Sequence, residues 1–77
     1  LMRIMKSTFD YTLLGKIENE LRNSHYSIKE IHYLDRVMIE SYAEEDAKEA
    51  FIDWMTDLSN GQASIEEGEM LYLEHEL

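Results

Sequence analysis

Four carboxylates, Glu45, Glu49, Asp53 and Asp57, recur at intervals of four residues. On an α-helix that spacing stacks them along one face, with about 6 Å of rise between neighbours. Like charges at i,i+4 repel by a few tenths of a kcal/mol per pair, so a helix shaped for stability alone would interleave bases. Lys48 is the one base nearby, while Glu44 at the head of the row and Glu66, Glu67 and Glu69 downstream add further negative charge. Such a row suits electrostatic engagement of a positively charged surface. It does not suit acid–base catalysis, because carboxylates are so numerous here that the closeness of two of them marks no particular pair.

Other reactive chemistry is sparse. Cysteine is absent, which removes thiolate nucleophiles and cysteine-ligated zinc or iron–sulfur sites. His25, His32 and His75 form no pair at i,i+3 or i,i+4, the spacing that would aim two imidazoles at one ion from a helix. The segment around Gly61 fails as a calcium loop, since Leu58 falls where an oxygen ligand is required. No glycine-rich phosphate loop and no basic stripe interleaved with aromatics is present. The expectation is no catalytic residue, no metal ligand, no cofactor and no direct contact with nucleic acid.

These residues must be carried by local structure. Ser7-Thr8-Phe9-Asp10 has the form of a helix capping box, followed by Phe9, Leu13, Ile17 and Leu21 at helical spacing, with Gly15 off the apolar arc. Ser27-Ile28-Lys29-Glu30 repeats the capping pattern and predicts a second helix whose stripe is Ile28, Ile31, Leu34, Met38 and Tyr42. A third helix over 43–59 buries Ala43, Ala47, Ala50, Phe51, Trp54 and Leu58, and Asn60-Gly61 stops it. The segment 65–77 fits a helix or a strand, because Met70-Leu71-Tyr72-Leu73 is apolar all round. With no proline in the chain, the expected fold is all-α, a single domain over 1–77 of three to four short helices. The alternative is α+β with a short hairpin at about 30–42, where Val37, Ile39 and Tyr42 favour strands.

The 77 residues carry 17 acids against 7 bases, a net charge of −10. The imbalance lies after Arg36, where twelve acids face Lys48 alone. A hydrophobic share of 44% is that of a folded domain rather than an acidic tail. No apolar run reaches the ~20 residues of a membrane span, and Leu1 to Lys6 is too interrupted for a secretory leader. The expectation is an intracellular protein with no membrane partner.

Size, charge and expected helicity together resemble the small acidic DNA-mimic inhibitors of phages and mobile elements. That resemblance implies a non-enzymatic protein that occupies the DNA-binding surface or channel of a basic, DNA-binding target. The partner-binding residues would be Glu44, Glu45, Glu49, Asp53, Asp57, Glu66, Glu67 and Glu69. The alternative is a helical adaptor that docks through an apolar helix face. The small core and the plentiful Met and Tyr add the expectation of a homodimer.

Overall fold

Met2–Phe9, ahead of the first expected helix, form a strand, β1, in the computed structural model, which describes residues 1–71. A 3-10 turn at Tyr11–Leu13 leads into α1 (Leu14–Arg22). Strands β2 (Ser27–Tyr33) and β3 (Val37–Glu44) follow as a hairpin. A second 3-10 turn at Glu45–Ala47 opens α2 (Lys48–Leu58), and β4 (Ser64–Leu71) completes the chain as described. All strand pairs are antiparallel, in the order β2-β3-β1-β4. This βαββαβ arrangement, with each helix crossing over an intervening strand, is the ferredoxin-like split βαβ design.

The fold is therefore α+β, and the all-α expectation is wrong. β1 and β3 occupy the centre of the sheet. Their alternate residues Met5, Phe9, Val37, Ile39 and Ala43 form one core with Ile17 and Leu21 of α1 and Phe51 and Met55 of α2. Both helices thus lie on one side of the sheet. The side they leave open carries Met2, Ile4, Lys6 and Thr8 from β1 and Met38, Glu40, Tyr42 and Glu44 from β3.

The second expected helix fails for a local reason. Ile28 and Ile31 are three apart, which suits a helix face, yet both pack on the core from β2. Lys29 is an extra residue between the pairs Ile28↔Ser41 and Glu30↔Glu40, a bulge that shifts the facing by one position. Ser7 and Asp10 also mislead. Ser7 is buried in β1, and Asp10 caps the 3-10 turn by accepting from Thr12 N at 3.2 Å. Ala43, expected at the head of the third helix, lies in β3, while Ala47 and Ala50 are exposed rather than buried.

Other expectations hold. α1 buries Ile17 and Leu21 and keeps Gly15 in open space. α2 buries Phe51 as expected, but with Met55 rather than Trp54 and Leu58, which are only partly buried; Gly61 ends the segment at φ 77°, its N–H donating to the Thr56 carbonyl at 2.8 Å. The open question over 65–77 resolves as strand for Ser64–Leu71, and Tyr72 onward lies outside the described residues. A bulge also sits in β4, where the register shifts between Arg3 and Met5. Gly68 packs there against Ile4 so closely that an added Cβ would meet the Ile4 carbonyl oxygen at 3.0 Å. Among the described residues, no helix is long and apolar enough to cross a membrane.

Candidate functional site

The eight nominated acids do not form one surface. Glu49, Asp53 and Asp57 keep their spacing along the exposed side of α2. Glu45 leaves the row, because it belongs to the 3-10 turn and not to the helix. Glu44 ends β3 on the open side of the sheet, and Glu66 faces the same way from β4, opposite Lys6. Glu67 pairs with Met5 in register and so points to the helix side, and Glu69 is exposed in the β4 bulge. The nominated charges are thus divided between opposite sides of the molecule.

Two of them are held by bases. Arg3 Nε donates to Glu45 Oε1 at 2.7 Å, and its Nη1 donates to the Gly68 carbonyl at 3.0 Å. Lys48 Nζ lies 3.0 Å from Glu45 Oε2 and 2.9 Å from Glu67 Oε1. The cluster ties β1, the 3-10 turn, α2 and β4 together. Hydrogen bonds from Arg3 and then Lys48 hold the Glu45 carboxyl well below its ordinary 4.5, at about 2. Glu45 raises Arg3 in turn, and Glu67 followed by Glu45 raises Lys48. Glu45 and Glu67 act here as structural clamps, because a carboxylate with two bound cations offers little to a third.

The helix-free side carries a different constellation. In register across the sheet run Glu30 of β2, Glu40 of β3, Lys6 of β1 and Glu66 of β4. His32, two residues beyond Glu30, reaches back to Glu40, with its Nε2 in hydrogen-bond contact with Glu40 Oε2. The ligand-capable atoms of Glu30, His32 and Glu40 all lie within 4.8 Å of one another. Helical spacing conceals this group. Residues two apart share a face only on a strand, so Glu30-Ile31-His32 facing an acid across a hairpin is the pattern that would have found it.

Beside it, at the β2–β3 turn, a cavity of about 740 Å³ is lined by Thr8, Tyr33, Leu34, Asp35, Arg36 and Met38. Tyr33 and Leu34 are 60% and 64% exposed, so the apolar surface here lacks a cover within the described chain. Tyr11, also exposed, fixes the turn by donating from its hydroxyl to the Leu34 carbonyl at 2.5 Å. By contrast, the apolar faces of both helices are turned onto the sheet, which removes the surface through which a helical adaptor would dock.

The chain is 58% identical over 74 residues to "IMPACT family member YvyE" of Bacillus subtilis (strain 168). That match covers 96% of this chain and 34% of the relative, so the chain spans about a third of the length of the curated protein it matches. No solved structure matches it. The similarity overturns the expectation of a phage-type DNA-mimic inhibitor, as does the family that matches residues 8–62. That match covers most of the chain, which belongs to the family described as "Domain of unknown function (DUF1949)".

Proposed function

We propose that this chain is a non-enzymatic binding module of an IMPACT-family protein, and that it engages a basic partner protein bearing an apolar anchor. The carrying observation is the exposed apolar groove of Tyr33, Leu34 and Met38 beside the acidic, helix-free side of the sheet. Interfaces gain most of their affinity from desolvated aromatic, Met and Arg contacts, and the charges around them set approach and partner choice. Tyr33, Arg36 and Met38 supply the first kind of contact. Asp35 at the groove and Glu30 and Glu40, on the same face as Met38, supply the second and favour Lys or Arg on the partner. Similarity to a longer IMPACT family member supports a module within a larger polypeptide.

The test is a titration of the isotope-labelled chain with an amphipathic Leu/Lys peptide, followed by backbone amide shifts. Shifts concentrated at Thr8, Tyr33, Leu34, Arg36 and Met38, and binding weakened by Leu34→Asp, are the expected result. Leu34 is exposed, so this substitution leaves the core intact. Shifts centred on Glu49, Asp53 and Asp57, or affinity unchanged by Leu34→Asp, would replace this reading with unspecific charge attraction.

A further inference from the structure

We infer that Glu30, His32 and Glu40 form a binding site for a divalent first-row transition metal ion, of the type represented by zinc. Imidazole with two carboxylates is a ligand set that zinc accepts. Magnesium and calcium prefer oxygen throughout. The group is assembled by the backbone and not by chance proximity of long side chains. The extra residue Lys29 resets β2, so that Glu30 and His32 face the helix-free side while Ile31 enters the core.

The resulting placement is costly without a cation. Glu30 stands directly across from Glu40, and like charges in opposed positions of an antiparallel pair are destabilising. His32 lies in contact with Glu40, and Lys6 is the register partner of Glu40 on its other flank. Lys6 forms no ion pair among the described residues, so His32 is the one side chain in hydrogen-bond contact with Glu40, and Glu30 has no such contact. A metal ion would sit between His32 Nε2 and Glu40 Oε2, where the two side chains already meet. Ligands at about 2.0–2.2 Å from a tetrahedral ion stand roughly 3.4 Å apart. The observed group, within 4.8 Å throughout, needs only side-chain rotation to reach that spacing. Glu30 is exposed and free to close on the ion, while Glu40 and His32 are partly buried and fixed by their contact. Three protein ligands leave a fourth position open toward solvent; Glu30 and Glu40 also belong to the acidic surface proposed to draw a basic partner, so a bound ion would weaken that attraction, while zinc binding itself needs no partner.

The experiment is calorimetric titration of the untagged 77-residue chain with zinc, repeated with cobalt and read by visible absorption. One ion per chain at micromolar or tighter affinity is expected, with a cobalt spectrum of low coordination number. Glu30→Gln, His32→Gln and Glu40→Gln should each weaken zinc by about a hundredfold or more, beyond the ~10–100-fold typical of an outer-shell partner. Circular dichroism checks that each variant keeps its fold. In the parent chain, nitrogen chemical shifts of the His32 ring should move on zinc addition while those of His25 stay, a reading that needs no variant. No binding in the micromolar range, a variant that binds as tightly as the parent, or an unmoved His32 ring would overturn the site.

Discussion

Ser7 and Ser41 should each be better replaced by alanine. Both side chains are fully buried on the two central strands, and neither hydroxyl has a hydrogen-bond partner among the described residues. Ser7 pairs in register with Ile39 and Ser41 with Met5, so each oxygen lies among core apolar groups. An unpaired buried hydroxyl costs about 1–3 kcal/mol in protein substitution data. Alanine retains the Cβ and removes only the oxygen, leaving too little space for a significant cavity term, and it loses a few tenths of a kcal/mol in strand preference. The net expectation is a gain of about 1 kcal/mol for each substitution.

Urea unfolding followed by the fluorescence of Trp54, the chain's one tryptophan, reads this directly. With an m-value of roughly 1 kcal/mol/M for a domain of this size, the midpoint should rise by about 1 M with m unchanged. The two positions lie diagonally across one strand pair, close enough to couple, so the double variant completes a cycle. If either single substitution lowers stability by more than about 0.5 kcal/mol, the hydroxyls are satisfied and the reasoning fails. A double variant that loses less than the two singles together would show that the hydroxyls bond each other.

Phe51→Ala should cost about 3–5 kcal/mol, because the ring is fully buried and meets Tyr26 edge-on at 4.8 Å. Trp54→Ala should cost less than half as much, since Trp54 is only partly buried at the border of the core; equal losses in chemical denaturation would refute that placement. Glu45 should contribute an acid transition. Its folded-state pKa is depressed, so its stabilisation is complete above the ordinary value of 4.5 and is lost as pH falls toward about 2. Thermal melts of the parent and Glu45→Gln should therefore differ most near neutrality and converge in acid, and a constant difference down to pH 2 would exclude the clamp.

What the sequence disclosed, and what it hid, follows from period. α2 was legible because Phe51, Leu58 and the Asn60-Gly61 stop obey helical rules in the folded chain. β2 was not, since the Lys29 bulge converts a period of two into the Ile28–Ile31 spacing of three, which imitates a helix. β4 carries a comparable bulge, which puts Glu67 and Met70, three apart, on the helix side and Leu71 on the other. β1 was hidden by polarity, because Ser7 and Arg3 occupy the helix side while Ile4 is buried on the other. The acid row was read correctly as residues and wrongly as a surface. A 3-10 turn displaces Glu45, and Arg3, forty-two residues away, is the partner that no local pattern reveals.

Charge asymmetry therefore needs to be counted after pairing. Arg3 and Lys48 engage Glu45 and Glu67, Arg22 engages Glu18, and His32 engages Glu40. Of the exposed acids that remain, Glu49, Asp53 and Asp57 lie on the helix side and Glu30, Glu44 and Glu66 on the sheet side, while Asp10, Glu20, Asp35, Asp46 and Glu69 lie in turns, on α1 and in the β4 bulge. Of the sheet-side acids Glu30 lies nearest the exposed groove at the β2–β3 turn, with Glu40 next to Met38 on the same face, whereas Glu44 stands at the far end of β3. An isolated row of solvated carboxylates draws partners in over a Debye length and releases them as readily, since salt screens it and nothing desolvates it. Carboxylates beside Tyr33, Leu34 and Met38 can steer a basic surface onto contacts that exclude water and hold it. On the proposed reading the side of the sheet with fewer consecutive acids is thus the better binding surface, for the same reason that desolvated contacts at the centre of an interface, rather than solvated charges at its rim, govern how slowly a complex dissociates.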